Sequence, residues 1–160
     1  MSGKTRNLLG FFVCITITYA AAAIGGIFTG PSVGTWYRTL NLPPFTPTSW
    51  LFGPVWTILY GMMAIALFMV WRKKDNSRGR RAAIVIYAIQ LGLNAIWSPV
   101  FFGLKNPGAG LVIIILLWFA IATTINAFRR LSRPAALLLI PYLLWVSFAA
   151  VLNFAIWRLN

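Results

Sequence analysis

Three polar residues, Gln90, Asn94 and Ser98, recur every four positions in an otherwise apolar stretch. At helical periodicity they share one face, flanked by Tyr87 and Trp97. An amide both donates and accepts, so such a face can bond to neighbouring helices or line a cavity and orient a ligand. The spacing leaves both readings open. Two further stretches show aromatic faces of the same period: Trp56, Tyr60 and Met63 in one, and Tyr142, Trp145, Ala149 and Asn153 in the other. Indole and phenol rings beside a small residue suit a flat apolar pocket with a few polar groups. Anchoring at a membrane surface accounts for Trp71, Trp157 and Trp118, but fits Trp56, Trp97 and Trp145 less well because these lie several residues inside their stretches.

Conventional catalytic equipment is missing. The 160 residues include 14 Lys and Arg, a single acid (Asp75), a single cysteine (Cys14) and no histidine. That excludes an intrachain disulfide, a His- or Cys-based metal cluster, a paired-carboxylate site and any His-containing triad. Cys14 reads as a small buried apolar residue, since nothing nearby would lower its pKa. A proton-coupled exporter is disfavoured too, because such pumps generally use an intramembrane carboxylate and Asp75 lies in a basic connection.

The elements that must position these side chains follow from composition. The chain is 60% hydrophobic and 9% charged, against about 25% charged in an average soluble protein. Apolar stretches at 8–28, 51–71, 82–102, 108–128 and 134–157 are each long enough to cross a hydrocarbon core of about 30 Å. The expected fold is therefore all-α: a single domain over 1–160, built as a bundle of five transmembrane helices. Pro107 and Pro134 stand where helices can begin, whereas Pro99 and Pro141 should kink their spans. Ala22, Gly26 and Gly30 have the spacing of a helix-packing seam. The connection at 31–50 is long, and such loops tend to be functional or disordered. Its aromatics, Trp36, Tyr37, Phe45 and Trp50, and its four prolines make it an ordered lid over the bundle mouth.

Charge placement sets the orientation. Eleven basic residues (Lys4, Arg6, Arg72, Lys73, Lys74, Arg78, Arg80, Arg81, Arg129, Arg130, Arg133) fall on one side of the five spans, and three (Arg38, Lys105, Arg158) on the other. This alternation implies a cytoplasmic N-terminus. It also disfavours nucleic acid as a partner, because the basic residues lie in short runs between spans and not on one solvated face. The alanines at 20–23 resemble a signal-peptide cleavage site, but apolar character continues past them to Phe28, as in a retained span.

These residues resemble the tryptophan-rich sensory protein / translocator protein family, whose mitochondrial members are known as the peripheral-type benzodiazepine receptor. The resemblance rests on Trp36-Tyr37 with Leu40, Pro43 and Pro47, and on the block from Gly53 to Tyr60. It continues in the block from Gln90 to Trp97 with Phe101-Phe102, and in Pro141 to Trp145 with Phe148-Ala149 and Leu152-Asn153. It implies a five-helix fold, usually dimeric, that binds porphyrins such as protoporphyrin IX and synthetic benzodiazepine-site ligands. By motif, the ligand-binding residues would be Trp36, Tyr37, Pro47, Trp56, Tyr60, Asn94, Trp97, Trp145 and Ala149. Asn94 is thereby favoured as cavity-lining over plain interhelical glue.

The implied protein is an integral, multi-pass protein of a bacterial cell membrane, working in tetrapyrrole transport, sensing or stress regulation. Its expected partners are a porphyrin or similar flat apolar molecule, the lipid bilayer and a second copy in a homodimer. No cofactor is required and no metal is expected, porphyrin being the ligand or the substrate. With no histidine, the usual axial haem ligation is unavailable, so metal-free porphyrin is the more natural guest, and Arg38 near the mouth is placed to meet a propionate. The alternative is a light-dependent porphyrin-degrading enzyme. That chemistry needs no acid or base, and Trp56 and Trp145 would be its redox partners. Two departures from the family pattern stand out. Phe154 replaces the Tyr of the cholesterol-recognition segment ahead of Arg158, which argues against a sterol ligand. Phe45 stands where a Trp is frequent and so lacks an indole N–H.

Overall fold

The computed structural model describes residues 3–73 and 78–160. Lys74 and Asp75, part of the basic connection, lie outside the described residues. The chain forms α1 (Gly3–Val33), a 3-10 turn (Trp36–Thr39), α2 (Ser49–Trp71), α3 (Arg78–Ser98), α4 (Pro107–Leu131), α5 (Arg133–Leu138) and α6 (Ile140–Leu159). Among the described residues there are no strands, and five helical segments are long and apolar enough to cross a membrane, α5 and α6 together making the last. The helices run past the ends of the apolar stretches because backbone bonding does not stop at the hydrocarbon boundary.

The prolines act where the sequence places them, in ways that differ in detail. At Pro99 the helix does not simply kink. It widens into a π turn, Pro99–Gly103, closed by the Leu104 N–H donating to the Pro99 carbonyl at 2.9 Å. Proline cannot donate to the carbonyl four residues back and crowds it, and the wider turn relieves both. Ahead of Pro141 the last span is interrupted at the single residue Leu139, which keeps a helical backbone between α5 and α6. Lys105, at φ 52, supplies the left-handed step that reverses the chain after the π turn. Asn106 then caps α4, its side-chain oxygen accepting from the Ala109 N–H at 2.9 Å, with Pro107 in the first turn.

The helices close into a ring in the order α1, α2, α5–α6, α4, α3. At the basic end α2 packs on α5. Towards the other end it barely meets α6, and the two diverge. Large side chains such as Met63, Phe128, Ile121 and Tyr142 fill the closed half, with Tyr87 stacked on Phe128 at 5.9 Å. Outward positions such as Phe12, Ile27, Ile58, Phe119 and Leu144 remain exposed and apolar, as contact with lipid tails requires.

Two packing expectations are corrected. The buried stripe of α1 is Gly10, Cys14, Thr18, Ala21 and Gly25, one position round from Ala22, Gly26 and Gly30. A methyl group on Gly26 or Gly30 would meet nothing within 4 Å. Gly10 lies so close under the Trp71 ring that a Cβ there would stand 2.1 Å from it, so Trp71 is a packing residue as well as a surface one. Trp118 is no interfacial anchor: it sits mid-helix and its Nε1 donates to Ser147 Oγ at 2.8 Å, bolting α4 to α6.

Gln90 is wholly buried, and neither polar atom of its amide has a hydrogen-bond partner. Buried polar atoms left unpaired cost about 1–3 kcal/mol. Gln90→Met, which keeps the volume and removes both atoms, is therefore expected to raise the thermal unfolding temperature of the purified protein. A fall would show that the amide is bonded.

Candidate functional site

Where α2 and α6 diverge, the bundle encloses a cavity of about 360 Å³. Its floor is a hydrogen-bonded knot. Asn94 on α3 accepts from the Tyr60 hydroxyl on α2 through Oδ1, and donates from Nδ2 to the Tyr142 hydroxyl on α6 at 2.9 Å. Asn94 thus bonds across three helices and faces the cavity as well, so the two readings of its spacing are joined in one residue. Ser98, one turn on, receives a hydrogen bond from Thr29 Oγ1 at 3.3 Å and ties α3 to α1. Gln90, on the same face one turn earlier, is not part of the cavity wall.

The walls are aromatic. Trp56 leans on Tyr60 and Tyr142, with ring centroids 5.5 and 6.2 Å away. Opposite, Trp145 meets Phe52 edge-on at 6.0 Å. Trp97 stacks on Phe101 at 5.1 Å, and its Nε1 donates to Asn153 Oδ1 at 3.2 Å. Asn153 in turn donates to the Pro107 carbonyl at 2.7 Å, so this indole N–H is spoken for. The Trp145 Nε1 is different: it is buried in the wall and has no partner. Ala149, one turn beyond Trp145, completes the wall with a small side chain.

The connection between α1 and α2 covers this end of the bundle. Tyr37 is buried against Phe101 and Phe102, at centroid distances of 6.4 and 5.8 Å, and closes one end of the cavity. Burial raises its phenol pKa above the ordinary value, so it stays neutral at physiological pH. The loop is also clamped to the end of α6. The Asn41 N–H donates to Asn160 Oδ1 at 3.0 Å, and Asn160 Nδ2 donates back to the Asn41 carbonyl at 3.2 Å.

The structure gathers seven of the nine residues singled out for the site: Tyr37, Trp56, Tyr60, Asn94, Trp97, Trp145 and Ala149 all line the cavity. Trp36 and Pro47 do not. On a turn with three residues per turn, neighbours point about 120° apart, so Tyr37 faces inward while Trp36 rests beside it on Phe101 and Phe102, at 5.8 and 6.5 Å. Pro47 follows the turn that Thr46 closes onto the Pro43 carbonyl and does not line the cavity. Phe45 packs edge-on against Phe148 at 6.5 Å. Helix α1, which the sequence motifs leave out of the site, also contributes. Tyr19, Ala22, Gly26 and Thr29 form its cavity face, and Tyr19 donates to the Thr57 carbonyl at 2.9 Å. The signal was present as small and polar residues at helical spacing. Gly26 on α1 and Gly53 on α2 are exposed and also line the cavity, so it is not fully sealed from the outer surface of the bundle.

Residues 12–158, which hold this cavity and reach all five spans, match a known family pattern. The chain belongs to the TspO/MBR family. It is 47% identical over 159 residues to tryptophan-rich protein TspO of Chlorobaculum tepidum, covering 97% of this chain and 98% of the relative. It is 34% identical over 154 residues to protein CrtK of Rhodobacter capsulatus, covering 96% and 94%. It is 37% identical over 138 residues to the translocator protein of Bos taurus, covering 86% and 82%. As a TspO/MBR protein it is an integral, multi-pass membrane protein, and its five spans are the five helical segments described above.

Proposed function

We propose that the chain binds flat, largely apolar ligands of the tetrapyrrole class within the membrane, for their transport or sensing. The supporting observation is the cavity: aromatic walls from Trp56, Trp97 and Trp145 around the Asn94 amide. A porphyrin offers ring faces for stacking, and its carboxylates offer acceptors. The exposed edge of the cavity at Gly26 and Gly53 would face the bilayer, where an apolar ligand dissolves. The names "tryptophan-rich sensory protein" and "translocator protein" among its relatives agree with sensing or carriage. A porphyrin titration tests the reading. Trp56→Leu should weaken binding by about 0.5–1.5 kcal/mol, the value of an aromatic pair. Trp157→Leu, outside the cavity, should leave affinity unchanged. Equal effects would mean that the signal reports partitioning into the detergent or lipid and not a site. Trp56 and Trp145 both face the cavity, so light-driven breakdown of a bound porphyrin would use the same residues. Product analysis in light and dark separates the two activities.

The basic end is proposed to face the cytoplasm of a bacterial cell. A periplasmic-type reporter fused after Asn160 should then be active, and the same reporter inserted in the connection between α2 and α3 should be silent. The reverse pattern would place the protein the other way round.

A further inference from the structure

At the basic end of the bundle, α1 and α2 leave a shallow open groove lined by Lys4, Asn7, Leu8, Phe11 and Phe68. Its floor is aromatic: Phe11 and Phe68 meet edge-on at 5.3 Å, and Phe68 stacks on Trp71 at 6.1 Å. Its outer rim is cationic and polar. Lys4 and Asn7 are exposed on the first turns of α1, and the Arg72 guanidinium stands 6.0 Å over the Phe68 ring at the end of α2. The groove therefore passes from charge to apolar surface in the direction in which a membrane passes from headgroup to acyl chain. The single acid of the sequence is Asp75, so no described residue can neutralise these cations by an ion pair. Arg80, by contrast, is engaged: its Nη1 donates to the carbonyls of Trp71 and Lys73 at 3.1 and 2.8 Å.

We propose that this groove is a binding site for one anionic phospholipid. Its phosphate meets Lys4 and Arg72, Asn7 donates to a headgroup oxygen, and one acyl chain lies along Leu8, Phe11 and Phe68. The site is separate from the central cavity, with which it shares no lining residue. The Arg72 guanidinium, 6.0 Å over the Phe68 ring, lies within cation–π range, and its N–H fork suits phosphate oxygens. A zwitterionic phospholipid presents the same phosphate, but adds an ammonium that the cationic rim repels.

Native mass spectrometry of the purified chain with phosphatidylglycerol or phosphatidylcholine of identical acyl chains tests the assignment. One phosphatidylglycerol should be retained in preference to phosphatidylcholine. The double variant Lys4→Ser, Arg72→Ser should weaken that retention on the order of tenfold, since each basic residue near a membrane surface contributes measurably to anionic-lipid binding. The control Arg129→Ser, Arg130→Ser removes two exposed charges from the same end and should leave it intact. Lys4→Glu alone should weaken it as well, and provides a second variant if the double variant is unstable. Equal losses in test and control would overturn the proposal in favour of diffuse attraction by the whole basic face. Displacement by millimolar inorganic phosphate would overturn it too, by showing an anion contact that needs no acyl chain. Indifference between the two lipids would leave no anionic site.

Discussion

Phe128→Ala is expected to destabilise the folded bundle by about 2–3 kcal/mol, even though no water-to-interior transfer is at stake. In a bilayer the lipid tails are as apolar as the core, so the transfer part of the usual large-to-small penalty is absent. The packing part remains. A cavity costs about 24 cal/mol per Å³, and loss of a buried phenyl ring opens roughly 100 Å³, giving about 2.4 kcal/mol. Phe128 is fully buried and stacked at 5.9 Å on Tyr87, whose hydroxyl is fastened to Thr18 of α1 at 3.0 Å. Few routes of collapse are open to that site. Thermal or denaturant unfolding in detergent measures the loss. Porphyrin affinity per folded molecule should stay the same, because Phe128 lies in the closed half and not in the cavity wall. A loss below about 0.5 kcal/mol would mean that lipid or neighbouring side chains fill the space as well as phenylalanine did.

Ala149→Thr should show the opposite pattern. Ala149 is half-buried and lines the cavity between Trp145 and Asn153 at successive turns of α6. A threonine there puts a branched side chain into the space where a ligand disc would lie beside the Trp145 indole. Within a helix its hydroxyl can bond the carbonyl of the preceding turn, so the fold carries little polar cost. Affinity for a bulky cavity ligand should fall about tenfold, equivalent to about 1.4 kcal/mol, while the unfolding temperature changes little. Were Ala149 packed against another helix instead, overpacking would cost about 1–3 kcal/mol of stability. Affinity would then decline only with the folded fraction. Measuring both quantities on the same preparation separates these outcomes, and unchanged values for both would remove Ala149 from the site.

The comparison of Asn94 with Gln90 shows how far spacing can be read. Both are amides on the same face of α3, one turn apart, and spacing alone offers no means of ranking them; the motif resemblance favoured Asn94. Asn94 finds Tyr60 and Tyr142 on two other helices and reaches the cavity. Gln90 finds no partner and lies outside it. Trp36 and Tyr37 are likewise adjacent aromatics that the sequence treats alike. The 3-10 turn sends one into the cavity and leaves the other supporting it.

The sequence by itself determined the membrane as solvent, the number of spans and the aromatic faces from which the cavity is built. Those follow from local quantities: runs of apolar residues long enough to cross hydrocarbon, basic residues alternating between the two sides, and aromatic faces at helical period. That Trp36 and Pro47 stay out of the cavity while α1 contributes a wall was decided only by the tertiary structure. The ring order of the helices and the divergence of α2 from α6 depend on long-range packing between side chains such as Trp71 over Gly10 and Trp118 on Ser147. In a uniformly apolar span every face looks fit for burial. The choice between the stripe at Gly10, Cys14, Thr18, Ala21 and Gly25 and the neighbouring one at Ala22, Gly26 and Gly30 turns on shape, since hydrophobicity there is nearly the same on both sides. Shape complementarity belongs to pairs of helices, and no single segment of the chain contains it.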